Sequence, residues 1–164
     1  MPASSSVQRL ARLGLKLARA LAFLAPLLTR ITLGYAFLLT GWGKLTSFYQ
    51  NFVGLLTDLG IPFPALQARF IGGLEFFGGI ALILGLATRV FGAGLLSTML
   101  VALVTAEREN FVKAWLPTGD QGPLDIAPYV FSLLLFWLIL YGPGPVSLDR
   151  WLARRLGVDE PGAQ

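Results

Sequence analysis

The chain has 164 residues, of which 55% are hydrophobic and 13% are charged, and its mean hydropathy is +0.68. Soluble domains usually carry about 25% charged residues, so this composition indicates a small membrane protein of one domain. The absence of Cys and His excludes disulfides, thiolate metal sites and Ser–His or Cys–His catalysis, and the net charge of +4 is not arranged as a nucleic-acid-binding motif.

The N-terminal segment is basic on one side of a predicted helix and rich in leucine on the other. This pattern predicts an amphipathic helix within residues 1–24 that lies on the cytoplasmic membrane surface. The apolar run that follows is longer than the apolar region of a signal peptide, so we expect the segment to be retained. The basic residues are Arg9, Arg12, Lys16 and Arg19.

Four apolar segments follow, each near the length of about 17–25 residues that spans a hydrocarbon core. They are expected to be helices, because a membrane barrel needs more strands with alternating polarity. The fold class predicted is therefore all-α, a four-helix transmembrane bundle with interfacial amphipathic helices, whose membrane domain covers residues 25–145. The segments are residues 25–45, 66–87, 90–106 and 124–141.

The connections predict shorter elements at the membrane surface. Apolar residues at helical spacing between Phe48 and Leu59 predict an amphipathic helix on the membrane, ended by GIPFP at 60–64. Thr88 and Arg89 form a tight hairpin between the second and third segments. The polar loop 107–123 carries Trp115 as an interface anchor.

The C-terminal part is predicted to leave the membrane and form a second basic helix. The sequence GPGP at 142–145 ends the fourth segment. Residues 146–164 then form a basic amphipathic tail, in which Ser147 is the expected helix N-cap.

The distribution of Lys and Arg predicts the orientation. Nine of them fall on the side of the two termini and four on the opposite side, which places both termini in the cytoplasm by the positive-inside rule. The nine are Arg9, Arg12, Lys16, Arg19, Arg30, Arg89, Arg150, Arg154 and Arg155, and the four are Lys44, Arg69, Arg108 and Lys113.

This topology predicts a polar cluster at the outer side of the membrane. Each of the four segments brings one ionisable side chain to a similar level, and we expect them to converge. The residues are Lys44, Glu75, Glu107 and Asp125.

Glu75 is the central candidate because Gly72, Glu75 and Gly79 share one helix face, which lets a neighbouring helix approach. A charged, unpaired carboxylate there costs several kcal/mol, so Glu75 is expected to be protonated or paired, with Lys44 as the nearest cation. Two roles stay open: a pair that fixes two helices, or a proton-handling carboxylate beside a small-molecule pocket.

The other candidates have simpler interpretations. Glu107 and Asp125 are expected to be solvated in loops, or Asp125 to cap the fourth segment. Arg30 is expected to extend to a lipid phosphate, and Arg89 to fix topology in the hairpin. Four aromatic residues are possible walls of a quinone-sized pocket, although packing is the commoner role: Tyr35, Trp42, Tyr49 and Phe76.

Several short motifs occur together in one order and spacing. They are Arg30, GWGK at 41–44, GIP at 60–62, EFFGG at 75–79, GLATR at 85–89 and GPGPVSLDR at 142–150. In this combination, over about Leu24 to Leu152, the chain resembles the DoxX family of small four-helix membrane proteins. One difference is that Glu107 stands near a place where several relatives carry His.

The resemblance implies an accessory role in redox chemistry, since the family is named after a subunit associated with a terminal quinol oxidase. Three functions stay open: a membrane subunit of a respiratory or quinone-linked oxidoreductase, a structural subunit without chemistry, and a small-molecule binding or transport protein. No intrinsic metal or haem is expected, and quinone is the one cofactor considered. The expected partners are membrane lipid and other membrane subunits or further copies of the chain.

Overall fold

A computed structural model describes residues 5–116 and 122–157, apart from the side chains of residues 5 and 6. These ranges are helical and contain no strand, which confirms the predicted all-α class. The helices are α1 (Ser5–Leu21), α2 (Leu24–Leu45), α3 (Tyr49–Asp58), α4 (Pro64–Leu84), α5 (Thr88–Val104), α6 (Arg108–Lys113), α7 (Ala127–Tyr141) and α8 (Leu148–Leu156), and a 3-10 turn, Pro123–Asp125, precedes α7.

Four apolar helices, α2, α4, α5 and α7, pack around one hydrophobic core. Helix α2 packs chiefly on α4, and α5 chiefly on α7, while α4–α5 and α2–α7 contacts close the group. All four helices contribute buried side chains to this core: Leu33, Phe37, Leu82, Leu95, Met99, Leu135 and Leu138.

These four helices coincide with the four predicted apolar segments to within a few residues. By length and composition, two helical stretches within the described residues are able to cross a membrane: Val7–Leu45, which includes α2, and Pro64–Leu84. Helices α5 and α7 are apolar but shorter, with 17 and 15 residues. The outward faces are also apolar, with Phe70, Val90 and Leu140 each about two-thirds exposed or more, as in a protein surrounded by lipid.

Glycine allows α2 and α4 to approach to backbone contact. A Cβ added at Gly79 would lie 2.6 Å from the carbonyl oxygen of Gly34, and one added at Gly34 would lie 2.7 Å from the carbonyl oxygen of Gly79. Gly41 is just as close to the backbone of Phe76. Small residues at such a seam replace side-chain packing with direct helix–helix contact.

Two turns set the direction of α4 and α5. Phe63, with φ of 53°, precedes α4, and Pro64 then occupies the first helical turn, where its missing N–H costs nothing. Gly85 and Ala87 both have positive φ and reverse the chain between α4 and α5. The predicted hairpin is therefore present, and it is formed mainly by the residues just before Thr88.

Substituting Gly79 by Ala should destabilise the protein, because the added methyl group overlaps the α2 backbone and must push the helices apart. Overpacking of this kind typically costs about 1–3 kcal/mol. Gly73→Ala is the matched control, since nothing lies within 4 Å of its added Cβ and Ala is the better helix former. Thermal unfolding in detergent should show a lower midpoint for Gly79→Ala alone. Equal midpoints for the two variants would contradict the close contact.

Candidate functional site

Glu75 lies near the middle of α4, and its side chain is 1% exposed. Lys44 Nζ donates to Glu75 Oε1 at 2.5 Å, and Thr40 Oγ1 donates to Oε2 at 3.1 Å. Both donors come from the last turns of α2, which approaches α4 because Gly41 lacks a side chain. The buried carboxylate therefore has a partner for each oxygen, and one partner is a cation.

Lys44 differs from Glu75 in exposure, since its side chain is 25% exposed. Its Nζ atom lies 4.9 Å from the centre of the Phe52 ring on α3, a cation–π contact. An ammonium group has three N–H donors, and Glu75 uses one of them. Lys44 is thus the accessible half of the pair, at the edge of the α2–α4 seam.

A cleft of about 480 Å³ lies between α2 and α3, and Lys44 and Thr40 form part of its wall. Its surface is mainly apolar and aromatic, with few polar groups, as in pockets that bind lipophilic small molecules through a polar head. The lining residues are Leu39, Thr40, Gly43, Lys44, Phe48, Asn51, Phe52 and Leu55.

The structure brings two of the four predicted cluster residues together and places the other two elsewhere. Glu107 precedes α6 and accepts from Asn110 Nδ2 at 2.9 Å, and Asp125 accepts from the Gly122 N–H at 2.8 Å. Among the described residues, no hydrogen bond or ion pair joins either carboxylate to Lys44 or Glu75. The expected convergence of four groups is thus replaced by one pair, because Glu75 lies about 16 Å along α4 from its start and not at the helix end.

The expectation that Asp125 caps the fourth segment is wrong in detail. Asp125 is the last residue of the 3-10 turn, and its carboxylate bonds back into that turn. The N-cap of α7 is Ile126, and no side chain bonds the first N–H groups there. Part of the loop predicted over 107–123 is helix α6, and residues 117–121 lie outside the described part.

Arg30 is buried, with 1% exposure, so it does not extend to a lipid phosphate as predicted. Its Nη1 and Nη2 atoms donate to the carbonyl oxygens of Pro143 and Val146, both at 2.6 Å. The Gly-Pro turn after α7 is short of N–H donors because proline has none, and guanidinium supplies several at once. A side chain at Gly85 would overlap the guanidinium, so this glycine makes room for Arg30.

Asp149 joins the start of α8 to the turn between α4 and α5. Its carboxylate accepts from the N–H groups of Ala87 at 2.6 Å and Thr88 at 2.9 Å, and its own N–H donates to the carbonyl oxygen of Gly85 at 2.9 Å. It therefore caps α5, where a negative charge is favourable. Ser147 accepts from the Arg150 N–H at 3.2 Å, which confirms it as the N-cap of α8.

Arg89 links the same turn to α7, since its Nε donates to the carbonyl oxygen of Ile139 at 3.3 Å. Together with Arg30 and Asp149 it connects the segments that carry GLATR and GPGPVSLDR. We call these contacts the Arg30–Asp149 lock. These contacts fix the chain reversal at one end of the bundle, so the motifs GLATR and GPGPVSLDR stabilise the fold. Asp149 is not among the candidate residues predicted from the sequence, although it lies within the motif GPGPVSLDR.

The aromatic side chains at the cleft are also not those predicted. Tyr35 and Trp42 are more than half exposed on the outside of α2. Phe48 and Phe52 form the aromatic wall instead. Both belong to the helical spacing between Phe48 and Leu59, which predicts a helix on the membrane surface and does not show that these two rings face a cleft.

The DoxX family profile matches residues 25–108, slightly more than half of the chain. This chain belongs to the DoxX family. The matched region contains α2 to α5 and so includes Lys44, Glu75 and the cleft. No solved structure matches the chain significantly.

Three curated relatives are similar over most of their length. "Inner membrane protein YqjF" of Escherichia coli (strain K12) is 30% identical over 79% of this chain and 92% of its own. "Putative oxidoreductase CatD" of Bacillus subtilis (strain 168) is 31% identical over 77% of this chain and 85% of its own length. "Uncharacterized membrane protein Rv3486" of Mycobacterium tuberculosis (strain ATCC 25618 / H37Rv) is 33% identical over 77% of this chain and 80% of its own length. The family and the apolar helices make this chain a membrane protein.

Within the described residues, no group of three or more His, Cys, Asp and Glu side chains is placed to bind a metal ion. The polar groups of the cleft are an ammonium, a hydroxyl and an amide. These are hydrogen-bonding groups for an organic ligand, and only the neighbouring Glu75 supplies a carboxylate.

Removing Lys44 should cost more stability than removing the charge of Glu75. Lys44→Met leaves a buried carboxylate with only the Thr40 hydroxyl, and an uncompensated buried charge typically costs about 3 kcal/mol or more. Glu75→Gln leaves an ammonium that is already in part exposed. Unfolding of both single variants and the double variant should give a favourable coupling energy. Strict additivity would contradict the pair.

Asp149→Asn should loosen α8 and the α4–α5 turn, since a helix cap of this kind contributes about 1 kcal/mol. Arg154→Gln is a control on the same helix, at an exposed side chain. Hydrogen exchange of the amides of Ala87 and Thr88 should become faster in Asp149→Asn and stay unchanged in the control. Unchanged exchange in both would argue against the cap.

Proposed function

We propose that this protein is an integral membrane subunit of a respiratory or quinone-linked oxidoreductase, and that the cleft beside Lys44 binds a quinone or quinol. The observation that carries the proposal is the Lys44–Glu75 pair at the wall of an apolar, aromatic cleft. The curated relative named "Putative oxidoreductase CatD" supports the redox context. Chains that carry haem or a redox metal would be partners, because this sequence has no Cys or His ligands.

The proposed topology is a multi-pass protein of the inner or plasma membrane with both termini in the cytoplasm. The arrangement of four apolar helices around one core and the excess of Lys and Arg on the side of the termini support it. The relative named "Inner membrane protein YqjF" is consistent with this location. In this topology α5 and α7 cross the membrane together with their flanking residues.

The cleft fits a quinone in three respects. Its volume of about 480 Å³ lies within the range of about 300–1,000 Å³ for small-molecule pockets. Its apolar wall suits a lipophilic ring and tail. Lys44 Nζ has N–H donors left for a carbonyl oxygen, and the Asn51 amide both donates and accepts.

Quinone, when bound, would supply the electron and proton chemistry. The chain would position the head group through Lys44 and exclude water with Phe48 and Phe52. Glu75 would hold the ammonium in place, since its carboxylate is buried and bonded to α2 on both oxygens. The Oε2 atom of Glu75, which accepts from Thr40, lies between α2 and α4 and does not line the cleft.

A structural subunit without chemistry is the second candidate, because both oxygens of Glu75 already have partners within the protein. The two candidates differ in what Glu75→Gln should do. A structural pair predicts weaker assembly with normal activity per assembled complex, whereas a quinone site predicts lower activity in complexes that are fully assembled.

The first experiment is purification in gentle detergent from the native membrane, followed by mass spectrometry of proteins and lipids and an absorption spectrum. Copurifying haem or flavin proteins and quinone are expected. Lys44→Gln should then lower the bound quinone by about tenfold, since a hydrogen bond from a charged group contributes about 1.5 kcal/mol. Glu107→Gln is the control, a change at a carboxylate outside the cleft. A colourless protein without partners or quinone would contradict the proposal.

A further inference from the structure

Helix α1 stands apart from the bundle, with every described side chain from Val7 to Leu21 exposed. Its two faces differ strongly. At 100° per residue, five apolar side chains fall on one side: Val7, Leu10, Leu13, Leu17 and Leu21. The other side carries Arg9, Arg12, Lys16 and Arg19, with Leu15 at its far edge, and the helix has no acidic residue. The apolar face has no partner among the described residues.

Helix α8 is a second exposed basic helix. It carries Arg150, Arg154 and Arg155, and Trp151, Leu152 and Leu156 are between 38% and 75% exposed. Its one acidic residue, Asp149, is directed inward and bonded to the N–H groups of Ala87 and Thr88. The Arg30–Asp149 lock therefore withdraws the acidic side chain and leaves the outer surface of α8 cationic.

Both helices lie at the same end of the bundle. Helix α1 leads directly into α2, and Pro26 at the start of α2 lies against Gly144, where an added Cβ would be 2.7 Å from Pro26 Cγ. Arg30, one turn further, is bonded to the turn that precedes α8. The seven basic side chains of these two helices thus belong to one end of the bundle.

We propose that α1 and α8 form a cationic collar that binds the anionic phospholipid surface of the membrane in which the bundle is embedded. The charge complementarity selects this occupant, since six of the seven cations are exposed, Arg150 is half-buried, and neither helix presents a free carboxylate. The apolar sides enter the boundary between headgroups and acyl chains, and the Arg and Lys side chains reach phosphates. Trp151, with Arg155 stacked 5.2 Å from its ring, suits this boundary.

The absence of Cys makes a direct test simple, because one introduced Cys is the only labelling site. The full chain with Leu17→Cys carries an environment-sensitive fluorophore on the apolar face of α1, and Gln8→Cys carries it on the opposite side. Each is reconstituted into phosphatidylcholine vesicles with and without phosphatidylglycerol. The label at position 17 should shift to the blue when phosphatidylglycerol is present, and the label at position 8 should not. Leu156→Cys should report the same shift for α8.

A charge variant then tests the electrostatic contribution. Arg12→Gln with Lys16→Gln should lower the ratio of surface-bound to detached α1 roughly 30-fold, since each basic side chain near an anionic surface contributes a factor of about five. Arg69→Gln with Arg108→Gln is the matched control for net charge. Because α1 makes no contact with the core, the variant should keep the size-exclusion profile of the folded protein.

Three outcomes would overturn the proposal. Equal spectra at positions 8 and 17 would show that α1 is not seated on the surface. A blue shift of equal size without phosphatidylglycerol would show that charge is not recognised. A shift at position 17 that depends on protein concentration would show that a second copy of the chain covers the apolar face.

Discussion

The buried carboxylate of Glu75 is the constraint on which the arrangement of α2, α3 and α4 depends. A carboxylate that is 1% exposed needs partners for both oxygens, and both come from α2. Lys44 and Thr40 reach it only because α2 and α4 touch at the backbone, where Gly34, Gly41 and Gly79 leave no side chain between them. The polar contact and the glycine seam therefore require each other.

The same approach creates the cleft. Since the end of α2 is held against the middle of α4, α3 begins beside Lys44 and leaves a space between its own apolar face and α2. The ammonium is shared between the pair and this space. Lys44 bonds Glu75 on one side and lines the cleft on the other. A ligand that binds Lys44 in the cleft would therefore also affect the contact between α2 and α4.

The Arg30–Asp149 lock is a second polar centre, at the end of the bundle that carries α1 and α8. Arg30 satisfies carbonyl groups in a proline-rich turn, and Asp149 satisfies the N–H groups at the start of α5. Each charged side chain thus supplies hydrogen-bond partners for backbone groups that would otherwise be left unpaired in an apolar environment. Three of the motifs on which the resemblance to the family rests meet here, so their presence indicates the fold more than a reaction.

The sequence by itself determined the membrane character, the all-α class, the four apolar helices, the hairpin after α4 and the N-cap at Ser147, because composition, apolar length and turn residues act locally. It also placed Glu75 on a glycine face and named Lys44 as its partner. Only the tertiary structure decided that Glu107 and Asp125 stay apart from this pair, that Arg30 is buried and that Phe48 and Phe52 face a cleft. The physical reason is that these outcomes depend on the offset between helices and on which backbone groups lack a partner, and neither is encoded in the spacing along one helix.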